Sequence, residues 1–329
     1  SVYFCLFKTP KAIKCYSVLI LNFALSDLGA CMTDLFVANR IIPTRMSMAI
    51  IPNGFCIYIS SGVCFVLYAL MLHFFVHSLF SLLLSFAYRY YVLCYPAPSR
   101  NTLIVIILIV YLPTFTHMVI YLFANDDPKE LEDALRNQLP NYSFEDTKVI
   151  IGTVDTMKSL PTLLMTLYMV VPIIPVYAII LLVRLKVRRK LDGIADKMSH
   201  HTRRMHHTLL NALTCQAILP IFYLEAVITF VIQTLGINHK LLEYSVFSMI
   251  LMIPSLSPVI NIYFIRPYRS EIELWIHKIE GLFTKKSTGP MIVEKTYCVY
   301  NPKLRHMKWK GAEYQAEGRI KKNSVHNTN

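Results

Sequence analysis

Residues Phe55–Pro98 read FCIYISSGVCFVLYALMLHFFVHSLFSLLLSF and then AYRYYVLCYPAP. The first part, Phe55 to Phe86, contains no Lys, Arg, Asp or Glu. A helix crosses the apolar core of a bilayer with about 20 residues, so this run is predicted to span a membrane as one helix and to emerge beyond it. At its far end a single arginine, Arg89, stands between Tyr88 and Tyr90. An arginine there is either an anchor that snorkels to lipid phosphate or a contact that works at the membrane face.

Composition points the same way. Of 329 residues, 55% are hydrophobic and only 16% charged, and the mean hydropathy is +0.46; soluble domains carry about 25% charged residues. The charges lie between long apolar runs, which predicts a polytopic membrane protein. The net charge of +13 sits in loops beside those runs, where the positive-inside rule accounts for it and nucleic-acid binding is not needed. No signal-peptide pattern is visible. The opening residues SVYFCLF are too few to span anything. Two readings compete, a processed or naturally short terminus and a truncated first helix. Lys8, Lys11 and Lys14 favour truncation, because they form the kind of basic loop that follows a span.

Working outward, the second span is expected at about Ser17–Ala38. It carries Asp27, and a central carboxylate costs about 2.5–3.5 kcal/mol on insertion scales, so Asp27 should face the bundle interior. Arg40 and Arg45 follow in a short loop that closes at Pro52-Asn53-Gly54. The fourth span is expected at about Thr102–Ala124, with Pro113 inside. The loop Asn125–Thr156 then holds eight acidic and three basic residues and the sequon Asn141-Tyr142-Ser143, which makes Asn141 a glycosylation candidate. The fifth span, about Ser159–Val183, leads into a basic segment from Arg184 to Arg204. The sixth, about Thr208–Leu235, contains Gln216, Pro220 and Glu225, and the seventh, about Tyr244–Ile265, contains Pro254 and Pro258. Lysines and arginines concentrate after the odd-numbered spans, with Arg40 and Arg45 the one exception. That places Arg89 and the carboxyl terminus in the cytoplasm and the Asn141 loop outside.

The fold class predicted is an all-α membrane protein, a seven-transmembrane helix bundle over residues 1–269 whose first helix is incomplete. Ser270-Glu271-Ile272-Glu273 has capping-box spacing, and Ile272, Trp275, Ile276 and Ile279 recur at helical intervals. Residues 270–283 therefore read as an amphipathic helix on the membrane surface, and 284–329 as a flexible, lysine-rich cytoplasmic tail.

Four phrases carry a resemblance. LNFALSDL (Leu21–Leu28) resembles the second helix of rhodopsin-like receptors, and Tyr88-Arg89-Tyr90 stands where those receptors place an arginine between an acid and an aromatic. KTPKAIKCYSVLILNFALSD, SFAYRYYVLCYPAP, ALTCQAILP (Ala212–Pro220) and PVINIYFIRPYR (Pro258–Arg269) together resemble the nematode serpentine chemoreceptors of the Str superfamily. The first two are most like class delta, Srd. The resemblance covers roughly Phe7 to Arg269. It implies a G-protein-coupled receptor without catalysis or cofactor, in the plasma or ciliary membrane of a sensory neuron. Such a receptor would detect small external chemicals, odorants or soluble compounds, and signal to a heterotrimeric G protein. It further implies that Tyr88, Arg89, Tyr90 and the basic Arg188, Arg189, Arg203 and Arg204 couple to the G protein. Asp27, Gln216, Pro220, Pro258 and Tyr263 would form an interior polar switch.

Two departures from the rhodopsin-like pattern stand out. No acid precedes the arginine, where Ala87-Tyr88 stands, so a lock on Arg89 by a neighbouring carboxylate is in doubt. The Asn125–Thr156 loop has no cysteine to pair with Cys56. Cys64, eight residues along the same predicted helix, would lie about 12 Å away, too far to bridge. No structural disulfide is expected.

His73 and His77, four residues apart, share a helix face. A metal pair would need a further ligand that the sequence does not place, so no metal site is expected. They are either hydrogen-bonded interior groups or the lining of a ligand cavity. Glu225, five residues outward of Pro220, either contacts ligand or pairs with a neighbouring helix. The main competitor is a secondary transporter of small solutes, but Pro172, Pro175, Pro220, Pro254 and Pro258 have no matching set in the first half, as inverted repeats would require. An intramembrane enzyme would need a motif such as H-E-x-x-H, which is absent from the sequence.

Overall fold

The charge-free run does not form one continuous helix. In the computed structural model Phe55–Tyr58 is a single 3-10 turn, Ser60 is extended, and the long helix begins at Ser61. Ser60 is its N-cap, its hydroxyl accepting from the Val63 N–H at 3.2 Å, the role serine fills best at a helix start. Gly54 lets the turn lie directly on the end of the preceding helix, where any side chain would strike the Phe36 carbonyl. The structure describes residues 2–3, 15–44, 46–140, 142, 144, 147–193, 200–237, 239–264 and 269–276, with backbone alone for 200–206 and 209.

Among these residues the helices are α1 (Tyr16–Val37), α2 (Ser61–Cys94), α3 (Arg100–Tyr121), α4 (Pro128–Gln138), α5 (Leu160–Val170), α6 (Ile173–Gly193), α7 (His200–Gln216), α8 (Ile221–Thr234) and α9 (Lys240–Phe264). Six helical stretches are long and apolar enough to cross a membrane: α1, α2, α3, the pair α5–α6, Leu210–Thr234 across α7–α8, and α9. The expected partial first helix falls on residues 1–14, of which only 2–3 are described. Proline explains why two stretches divide. It lacks an N–H and clashes with the carbonyl four residues back, so the helix breaks at Pro172 and again before Pro220. There Ile218, Leu219 and Ile221 bond three residues back in a tighter turn. Pro113, Pro254 and Pro258 are carried inside helices.

The 34-residue α2 is the axis of the bundle. At 1.5 Å per residue it is about 50 Å long, and it packs on α1, α3 and α6. Its buried face includes Ser78, Ser81, Ser85, His73 and His77. Gly29 of α1 permits the close approach to α2, because a Cβ there would come within 2.5 Å of the Phe74 ring. α3, by contrast, exposes Val105, Leu108, Ile109 and Leu112, the outward apolar surface that a lipid-facing helix requires.

The Arg40 loop is a second correction. It is a hairpin of β1 (Asn39–Pro43) and β2 (Met48–Pro52), joined by β3 (Ile151–Thr153) into an antiparallel sheet of order β1-β2-β3. Asn39 pairs with Pro52, Pro43 with Met48, and Met48 with Thr153. Strand alternation sends Ile42, Ala49 and Ile51 against Leu131 and Leu135 of α4, and Ile41, Met48 and Ile50 into the helix bundle. The expectation of no disulfide is also overturned, since Cys56 and Cys64 are bonded with their Cα atoms 5.1 Å apart. The chain doubles back between the 3-10 turn and α2 instead of running along one helix, so the separation shrinks to bonding range.

The chain divides into two units, Ser1–Glu273 and Leu274–Asn329. The first closes with residues 269–273 in helix, where Arg269 bonds Glu273 at 2.8 Å and Ile272 packs near Tyr16 and Leu103. In the second only residues 274–276 are described, and they are helical. The rest of the expected surface helix and the 284–329 tail lie outside the described residues.

Candidate functional site

Beneath the sheet lies a cavity of about 80 Å³. α2 contributes Tyr68, α3 Tyr121, α5 Met165, α8 Tyr223 and α9 Phe247, while Ile41 and Met48 close it from the sheet side. Among the described residues no charged side chain lines it. On α8 the lining residues Tyr223, Ala226, Val227 and Phe230 recur at i, i+3, i+4 and i+7, one stripe of an α-helix. The Tyr223 hydroxyl donates to the Met169 carbonyl at 3.3 Å.

Above this cavity, Arg40 of β1 and Glu243 of α9 form a buried ion pair at 3.6 Å, with side chains 6% and 0% exposed. The Tyr142 hydroxyl donates to Glu243 Oε2 at 2.7 Å, and Arg40 Nη2 donates to Thr147 Oγ1 at 3.3 Å. Burial and the adjoining Glu243 carboxylate hold the Tyr142 hydroxyl well above the usual phenol range.

A second, smaller cavity of about 30 Å³ lies further along the bundle, lined by Asp27, Ser78, Gln216, Pro220 and Pro254. Tyr223 and Ile250 line both cavities. Asp27 is buried and accepts from the Ser78 hydroxyl at 3.1 Å. The Gln216 side-chain amide donates to Ser257 Oγ at 3.3 Å.

At the opposite end from the sheet, Arg89 is only 5% exposed. Its guanidinium lies 3.7 Å over the ring of Tyr16, which stacks on Tyr88 at 5.8 Å. Among the described residues Nε and Nη2 of Arg89 have no hydrogen-bond partner, and no carboxylate pairs with it. Nearby on the α6 and α7 side, Arg184, Arg188, Asp192, His207, Asn211 and Thr214 line a polar cleft, with Arg184 Nε bonded to Thr214 Oγ1 at 3.1 Å.

A sequence profile described as serpentine type 7TM GPCR chemoreceptor Srd matches residues 2–273. The chain belongs to this family. Similar proteins include three from Caenorhabditis elegans. Serpentine receptor class delta-19 is 36% identical over 82% of this chain and 81% of its own length. Serpentine receptor class delta-18 is 35% identical over 88% and 87%, and serpentine receptor class delta-3 is 34% identical over 82% and 80%. The resemblance drawn from the four phrases is therefore correct, and a multi-pass membrane protein of the chemosensory receptor kind follows from the family.

Within this Srd chain the predicted site residues divide. Asp27, Gln216 and Pro220 meet at one cavity. Pro258 is half-buried in α9, whereas Tyr263 is 63% exposed and lies edge-on to Phe264. The buried stripe of α9 runs through Ile250, Pro254, Ser257 and Asn261, and Tyr263 is two residues off it, so its placement in the interior switch is corrected. His73 and His77 are buried but face α1 and α3. Both pack on the Tyr111 ring, at 4.7 and 4.9 Å, and His77 Nε2 contacts Asn22 Oδ1 at 3.2 Å. Glu225 is half-buried and accepts from the Thr229 hydroxyl at 3.0 Å. None of the three lines the cavity beneath the sheet, since each lies off its helix's cavity stripe. Tyr88 is buried, Tyr90 half-buried, and Arg188 and Arg189 are exposed on α6. Arg203 and Arg204 are on the helical backbone of α7, and Asn141 lies outside the described residues.

The Arg40–Glu243 pair above the cavity is a feature that the sequence reading missed. Its signal was present: Arg40 broke the loop-charge pattern, and Glu243 was the one acid in the short loop before the last span.

Proposed function

We propose that this chain is a G-protein-coupled chemosensory receptor that takes a small external chemical in the cavity beneath the sheet and engages a heterotrimeric G protein at the Arg89 end. The observation that carries the reading is Tyr223. It forms a wall of the ligand cavity and of the Asp27–Gln216 cavity, three residues beyond the Pro220 break. A molecule resting on Tyr223 touches the helix where its hydrogen-bond ladder is already interrupted, and so biases how α7 sits relative to α8. A ligand shifts such an equilibrium by its differential affinity for the two arrangements. The excess of lysine and arginine at the Arg89 end, including Arg188, Arg189, Arg203 and Arg204, supports a cytoplasmic placement of that end. The sheet and the Asn141 sequon are then external. Arg89, flanked by Tyr88 and Tyr90, is the coupling residue, and Asp27, Gln216 and Pro220 form the polar switch between the ends.

The test is ligand-evoked G-protein activation of the full-length receptor in cells, over a panel of volatile and water-soluble compounds. Arg89→Ala is expected to abolish activation while surface expression and ligand binding persist. Solute flux without G-protein activation would overturn the proposal in favour of a transporter.

A further inference from the structure

We infer that the cavity beneath the sheet selects uncharged, predominantly apolar molecules and rejects carboxylates and ammonium ions. The inference rests on the proposed placement of the ligand. Its lining is aliphatic, aromatic and thioether, and the polar atoms it offers are the tyrosine hydroxyls and Thr166. One of those hydroxyls, on Tyr223, is already committed to the Met169 carbonyl. A buried charge needs a counter-charge or several hydrogen bonds, and among the described residues no lining side chain supplies a counter-charge. Arg40 and Glu243, one residue before Ile41 and one turn before Val246 and Phe247 of the lining, neutralise each other. Glu225, His73 and His77 do not line the cavity. A hydroxyl or carbonyl on the ligand can be met by a tyrosine; a formal charge of either sign cannot be met.

The experiment reads binding rather than signalling, so that a failed coupling assignment does not obscure it. The full-length receptor in lipid nanodiscs is heated with short-chain alcohols, ketones and esters, and with the matching carboxylates and alkylammonium ions. Compounds that bind the folded state raise its midpoint by an amount that grows with the logarithm of one plus the ratio of ligand concentration to Kd. Stabilisation is expected from members of the neutral set, with the charged counterparts at least about 100-fold weaker. Ala226→Phe fills the cavity and should remove the shift, whereas Leu224→Phe, on the exposed face of α8, should leave it. If Ala226→Phe does not fold, Ala226→Leu serves with a partial loss. Equal stabilisation by a charged member overturns the inference. So does a neutral shift that survives the filled cavity, or the absence of any shift from the neutral set. Binding without G-protein activation would leave the inference standing and remove the proposed function instead.

Discussion

Arg40 and Arg89 are each 5% exposed, yet the two ends of the bundle hold them by opposite means. At the sheet end Arg40 has an anion, Glu243, whose carboxylate also accepts from Tyr142. At the other end Arg89 has an aromatic face, Tyr16, and two nitrogens without partners. Breaking a buried ion pair costs about 3–5 kcal/mol, while a desolvated cation–π contact is worth about 2 kcal/mol. The first arrangement suits a roof that stays closed. The second suits a side chain that is to be released, as the proposed coupling role of Arg89 requires.

The largest expected effect comes from stranding Arg40. Glu243→Gln leaves its charge buried without an anion and should lower receptor stability by about 3–5 kcal/mol, read by thermal unfolding of the purified protein. The double change Arg40→Met with Glu243→Leu should recover most of that loss. A loss below about 1 kcal/mol for the single change would put Arg40 in the same class as Arg89 and dissolve the contrast.

Releasing Arg89 should affect signalling more than stability. Tyr16→Leu removes about 1–2 kcal/mol of cation–π holding, which raises ligand-independent G-protein activation roughly 5- to 30-fold. Tyr16→Phe keeps the ring and should stay near the wild-type basal level. Equal basal activity in both variants would show that the ring does not hold the arginine.

The smallest effect is a pH dependence of the roof. Tyr142 has its pKa raised in the folded state, so its contribution is complete below the ordinary phenol value and is lost as pH rises above about 10. Stability of the wild type should therefore fall with pH in that alkaline window, and Tyr142→Phe should flatten the slope. An unchanged slope in the variant would detach Tyr142 from the pair.

The helices were legible because apolar length is a strong, one-dimensional signal. The expected seventh span at Tyr244–Ile265 and the observed α9 differ by only a few residues at either end. What failed was anything that composition does not encode. Phe55–Tyr58 is as apolar in a 3-10 turn as in a helix, so the start of α2 and with it the Cys56–Cys64 bond were invisible. NRIIP and MAIIP are short enough to pass as loop, and the strand that MAIIP pairs with on its other side, Ile151–Thr153, lies a hundred positions away. His73, His77 and Glu225 were recognisable as unusual, but the direction in which each helix turns them depends on its neighbours. The stripe Tyr223, Ala226, Val227 and Phe230 was readable as a face, though nothing local marked it as the wall of a cavity.

The sulfur bridge closes a loop of a few residues at the head of α2 and reaches no other element. The segment between α3 and α5 is therefore tethered over the cavity by the ladder between β2 and β3 and by the side chains that it buries, without a covalent bond. Reducing agents should leave that cover in place, whereas warmth or denaturant should lift it. Oxidising or reducing conditions alike leave the hold of that segment to a three-residue strand pairing and to the hydrogen bonds Tyr142–Glu243, Gln138–Ser47 and Ser47–Val154.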